Sequence, residues 1–175
     1  LITNWFWDFE HGNTSNLHED SFFDGGKFKK NKDIIDHCKK MLDEGAKIID
    51  IGAQSSKPGS KILPSKLELK KLIPVIELLK TEIPNIIISI DTFWSETAKE
   101  CIKKGAHIIN DISAGEIDTM MFDSISKLQV PYIIMHMQGK PENMQKNPSY
   151  NNVVEEIIQY FRDKIKILNQ KGIYN

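Results

Sequence analysis

Short β-branched runs alternate with amphipathic stretches along this chain. Ile34, Ile35, Cys38, Met41 and Leu42 fall on one helical face, Gly45 stops that helix, and Ile48 to Ile51 follow as a strand. Leu69, Leu72, Ile73, Ile76 and Leu79 stripe a second helix, bent at Pro74, and Ile86 to Ile90 form the next strand, ending in Asp91-Thr92. Ser95 is the expected N-cap of a third helix, closed by Gly105 ahead of the strand Ile108-Ile109. A fourth helix near Met120 to Leu128 leads to a strand from Tyr132 to Met135. Val153, Val154, Ile157, Ile158, Phe161, Ile165 and Leu168 then mark the clearest helix of all, up to Gly172.

One phrase occurs twice. Gly45-Ala46-Lys47-Ile48-Ile49-Asp50-Ile51 returns as Gly105-Ala106-His107-Ile108-Ile109-Asn110-Asp111-Ile112. A β-branched run between a glycine and an acid or amide reads as a parallel strand buried on both faces, with its polar group delivered at the C-terminal end. Strands that each lead into a helix imply right-handed crossovers and an α/β fold with a parallel sheet. Such folds keep their chemistry at the C-terminal ends of the strands. A complete eightfold barrel takes about 250 residues, and this chain has 175.

Composition narrows the function classes. The chain is 40% hydrophobic and 27% charged with a formal net charge of -1, so it can bury a core and has no basic excess for nucleic acid. Its longest apolar runs fall short of the ~20 residues a bilayer needs. Cys38 and Cys101 lack the spacing of a zinc or redox pair and read as buried, reduced thiols. The aromatic start, Leu1 to Glu10, lacks the basic opening and cleavage site of a secretion signal, which leads to the expectation of a cytoplasmic protein.

The polar residues at the strand ends are Asp50, Asp91-Thr92, Asn110-Asp111 and His136, and the pattern places them on one rim. A carboxylate and an amide on neighbouring strand ends suit a flat heterocycle with several ring N–H groups, because each donor needs an acceptor once water is excluded. The loop Ser55-Ser56-Lys57-Pro58-Gly59 serves equally as a phosphate or carboxylate cradle or as a plain turn. His136, flanked by methionines, reads as a hydrogen-bonded core histidine without a catalytic role.

Five segments in order resemble the pterin-binding barrel enzymes, and among them the dihydropteroate synthases. These are Asn16 to Gly26, Ile49-Asp50-Ile51-Gly52-Ala53-Gln54-Ser55-Ser56-Lys57-Pro58-Gly59, Ser89-Ile90-Asp91-Thr92, Ile108 to Ser113, and Met135-His136-Met137-Gln138-Gly139-Lys140-Pro141. The resemblance implies a TIM-type parallel (β/α) barrel, truncated after about the fifth β/α unit. It also implies a transferase of folate biosynthesis, in which 4-aminobenzoate displaces diphosphate from 6-hydroxymethyl-7,8-dihydropterin diphosphate to give 7,8-dihydropteroate. By motif, Asp91, Asn110, Ile112 and Met135 line the pterin pocket. Ser56 and Lys57 serve the aminobenzoate and diphosphate side, and Asn16 faces the diphosphate-bound Mg²⁺. No catalytic base is required, and the full-length family form implies a homodimer.

The resemblance covers the first five of eight strands. A divergent segment spans residues 1–15 and a partial barrel domain residues 16–175. An Asp-Pro-Gly strand end, a Ser-Arg-Lys segment and an Arg-x-His segment of the family have no counterpart here, and Lys57 replaces an arginine, losing its planar fork. Gly12 to Asn16 do not have the apolar character of a barrel strand. A shift of reading frame accounts for this, since His11-Gly12-Asn13-Thr14 can be encoded so that the next frame says Met-Gly-Ile-Leu. An open arc of five strands exposes an unpaired edge and half of an apolar wall, so the 175-residue product is expected to be weakly folded and inactive alone. The alternatives are a non-catalytic pterin-binding half-barrel or inactive remnant, and another pterin-binding barrel enzyme such as a methyltetrahydrofolate-dependent methyltransferase. Ser55 to Gly59 and Asp20 to Gly26 argue against the methyltransferase.

Overall fold

The structure, a computed structural model, describes residues 17–18, 31–54, 62–139 and 148–174, with the backbone alone at 17–18. Strands and helices alternate: β1 (Leu17–His18), α1 (Asn31–Asp43), β2 (Ile49–Gly52), α2 (Ser65–Glu82), β3 (Ile88–Asp91), α3 (Ser95–Lys103), β4 (Ile108–Asp111), α4 (Met121–Leu128), β5 (Tyr132–Ile134) and α5 (Val153–Gln170). Each strand pairs in parallel with its successor, so the sheet order β1-β2-β3-β4-β5 repeats the chain order. Parallel neighbours need a crossover, and from β2 onward each is built around one of these helices. No helix among the described residues is long and apolar enough to cross a membrane.

The repeated phrase is a repeated helix stop. Gly45 and Gly105 share the same left-handed φ of 107°. The Gly45 N–H donates to Leu42 O at 3.0 Å and Ala46 N–H to Met41 O at 2.9 Å; Gly105 and Ala106 do the same to Ile102 O and Cys101 O, each at 3.0 Å. A left-handed residue at this point lets the chain turn back and satisfy two orphan carbonyls, and glycine adopts it without a Cβ penalty. Each turn then sends the chain directly into the next strand.

The core lies between sheet and helices. Ile49, Ile51, Ile88, Ile90 and Ile109 are buried with Cys38 and Met41 of α1, Leu72, Ile76 and Leu79 of α2, and Cys101 of α3. Both thiols are free and buried as expected; burial pushes Cys38 up to about 12 and raises Cys101 as well. Two expectations change. Ser95 is the first residue of α3 rather than its cap, because Asp118 reaches over from the next loop and takes the Ser95 N–H on Oδ2 at 2.8 Å. In α5 only Leu168 is buried, so most of its apolar stripe lies uncovered.

Candidate active site

The site follows from register. Asp50, Ser89 and Ile108 form one cross-strand row, and Gly52, Asp91, Asn110 and Ile133 form the next row toward the C-terminal ends of the strands. Residues two apart on a strand share a face, so these rows occupy the face of the sheet turned away from the helices. Gly52 adds no side chain to the second row. Asn110 Nδ2 donates to Asp50 Oδ2 at 3.2 Å across β3. Asp50 and Asp91 are only 6% and 8% exposed, and the Ser89 hydroxyl, fully buried beneath them, makes no hydrogen bond among the described residues.

Three carboxylates press on Asp91. Burial raises its pKa well above the ordinary value, and the charges of Asp50, Glu68 and Asp111 push in the same direction. The rim therefore holds a carboxyl that keeps its proton readily, beside a half-buried amide with both a donor and an acceptor. Ile112 and Met135, each half-buried, lie just past the ends of β4 and β5. The Met135 carbonyl accepts from the Tyr160 hydroxyl of α5 at 3.5 Å.

The expected single rim divides in two. Thr92, Asp111 and His136 belong to the opposite side, because a strand sends successive side chains to opposite faces. Asp111 locks the turn after β4, accepting from Ser113 N–H and Oγ–H at 2.8 and 2.7 Å, Gly115 N–H at 2.9 Å and the Tyr132 hydroxyl at 2.6 Å. That turn carries two left-handed residues, Ala114 at φ 48° and Gly115 at φ 76°, and a Cβ on Gly115 would lie 2.5 Å from the Phe122 ring. His136 packs between Tyr150 and Tyr160, a structural histidine as its sequence context suggests. Asn16, Ser56, Lys57 and the signature Asp20 to Gly26 lie outside the described residues.

Glu68 of α2 was not anticipated and is completely buried. It sits four residues before Leu72, so the stripe Leu72, Ile76, Leu79 extended back by one turn lands on a carboxylate. A charged residue on an apolar stripe is the signal by which sequence reasoning finds such a group. Among the described residues no group of three His, Cys, Asp or Glu converges as a metal site.

A parallel sheet wound with helices in chain order, with acid and amide at neighbouring strand ends, defines part of a (β/α) barrel. Residues 12–175 match the profile of the pterin binding enzymes, and the chain belongs to that family. It is 44% identical over 162 residues to the mitochondrial folate synthesis bifunctional protein of Pisum sativum, covering 90% of this chain and 32% of that protein. The dihydropteroate synthase of Yersinia pestis, solved with a sulfonamide drug complex, superposes with a TM-score of 0.81 at 34% identity, over 91% of this chain and 57% of that one. The Xanthomonas albilineans dihydropteroate synthase with 4-aminobenzoic acid gives 0.77 at 33%, over 91% and 56%. The chain thus spans from just under a third to somewhat over half of these relatives' lengths.

Proposed function

We propose that this chain carries the pterin side of a dihydropteroate synthase, which joins 6-hydroxymethyl-7,8-dihydropterin diphosphate to 4-aminobenzoate. The observation that carries this reading is the in-register pair Asp91 and Asn110, tied to Asp50, on the face away from the helices. A reduced pterin presents amino and ring N–H groups beside a carbonyl, so an ionised Asp91 accepts from the donors while the Asn110 amide serves either kind of group. Donors brought by the ring favour the carboxylate, and binding draws the proton off Asp91. Ile112 and Met135 supply apolar walls, while Ser56 and Lys57 serve the amine and phosphate side.

In the reaction the C–O bond of the pterin methylene breaks, and its electron pair leaves with diphosphate. The aniline nitrogen forms the new C–N bond, and its proton passes to water or diphosphate. The residues of the chain bind and orient both partners; Asn16 would hold a Mg²⁺ ion on the diphosphate side, where the ion would supply neutralisation of the leaving charge. Titration calorimetry with 6-hydroxymethyl-7,8-dihydropterin tests the reading. Wild-type binding with a loss of about a hundredfold in Asp91→Asn is expected from the energy of hydrogen bonds to a charged group. Equal affinity in the two proteins contradicts it. A non-catalytic pterin-binding half-barrel is the second reading, favoured by the uncovered face of α5, and dihydropteroate formation assayed on the same samples separates the two.

A further inference from the structure

Glu68 is completely buried on the helix-facing side of the sheet, and three neutral donors meet it. Its Oε2 accepts from the Thr92 hydroxyl at 2.7 Å, its Oε1 accepts from Gln54 Nε2 at 3.1 Å, and Thr97 adds a third hydrogen bond. Among the described residues no cation contributes to its environment. Gln54 follows β2 by two residues and Thr92 follows Asp91 directly. Both partners are fixed in turn. The Gln54 side chain accepts from Leu63 N–H at 2.9 Å and donates to Leu63 O at 3.0 Å. The Thr92 hydroxyl accepts from Trp94 N–H at 3.1 Å, and the Trp94 indole N–H donates to the same Leu63 carbonyl at 2.9 Å.

We infer that Glu68 is a positioning residue that ties the end of β2 to the end of β3 and so sets the spacing of Asp50 and Asp91 for the pterin ring, a role that rests on the proposed function. A leucine or methionine at this point would complete the apolar stripe of α2 but would strand the buried Thr92 hydroxyl and the Gln54 amide, so it loses stability together with the link between the strand ends. Stability and positioning are therefore read by separate measurements. What an aliphatic side chain cannot do is accept from two strand ends at once. A neutral glutamine keeps the link in weaker form, because the Thr92 hydroxyl can rotate to accept where it had donated.

The test uses the protein at its natural length, with the variants Glu68→Met, Glu68→Gln and Thr92→Val. Thermal unfolding, affinity for 6-hydroxymethyl-7,8-dihydropterin and the emission of Trp94, isolated by difference against Trp94→Phe, are read on each. The expected order of affinity is wild type, then Glu68→Gln within about threefold, then Thr92→Val at about fivefold weaker and Glu68→Met at about tenfold weaker. Melting temperatures should not follow that order, and Trp94 emission should shift in Glu68→Met before any ligand is added. Unchanged affinity and emission in Glu68→Met overturn the inference, as do losses of affinity that merely track melting temperature. If Glu68→Met does not fold, Thr92→Val decides by the same two readouts. Should the wild type bind no pterin while emission still responds to Glu68→Met, the proposed function fails and the tie between the strand ends stands.

Discussion

Helices α2 and α5 have the same length, 18 residues, and opposite fates. α2 buries Glu68, Leu72, Ile76 and Leu79 against the sheet, whereas α5 buries Leu168 alone and leaves Val154 62% and Ile165 50% exposed. In sequence the ranking is reversed, for α5 has the more regular apolar stripe and α2 is interrupted by Pro74 and by a charge. Amphipathic spacing states which face of a helix asks for cover and says nothing about whether cover arrives. Contacts in the second half of α5 and just past its end show what it does reach: Lys164 donates to Ala114 O at 3.0 Å and pairs with Glu116, and Leu168 and Ile173 join the core.

Removing Ile76 should have the largest effect and bears most directly on this contrast. Ile76 is fully buried, so Ile76→Ala should cost about 3–4 kcal/mol in urea denaturation, from lost transfer energy plus the cavity left behind. A cost below about 1 kcal/mol would mean that α2 is no better seated than α5.

The next effect falls on the other face of the same strands, turned away from α2. Asp91→Asn, with its hundredfold loss of pterin affinity, should be more stable than the wild type near neutral pH. The sign comes from linkage: the folded pKa of Asp91 lies above its ordinary value of 3.8, so the folded chain holds the proton more tightly than the unfolded one. Its contribution is complete below the unfolded value and is lost as pH rises through the folded one. Glu68 is raised by burial in the same direction. Denaturation midpoints across pH 4 to 8 should fall more steeply for wild type than for Asp91→Asn; parallel curves would remove Asp91 from the account.

Much of this was legible in the chain. The Gly45 and Gly105 stops, the strands that follow them and the run of Asp50, Asp91 and Asn110 are local features, and local rules place them. Which neighbour of a strand-end pair faces the site is not local. Asn110 and Asp111 must point opposite ways, but only pairing with Asp91 on one side and Ile133 on the other says that Asn110 is the inner one. The role of Glu68 was hidden for the same reason, since its partners lie 14 and 24 residues away. Gly45→Ala checks the local part: with no atom within 4 Å of an added Cβ, the cost of about 1 kcal/mol should come from the left-handed backbone alone. The same change at Gly115, where the Phe122 ring blocks the Cβ, should cost more.

The smallest effect is expected on α5, and it returns to the opening contrast. Ile158 is 45% exposed, so it has little burial to lose, and its replacement by serine removes apolar surface from water contact in the folded and unfolded chain alike. Surface changes of this kind usually fall within about 0.5 kcal/mol. Ile158→Ser should leave the urea midpoint where it is and reduce association at high concentration, as light scattering reads it, because a contiguous exposed apolar stripe is the feature that promotes association. A loss of more than about 1 kcal/mol would show that the α5 face is covered in solution. The difference between the two helices would then lie in what covers them and not in whether they are covered.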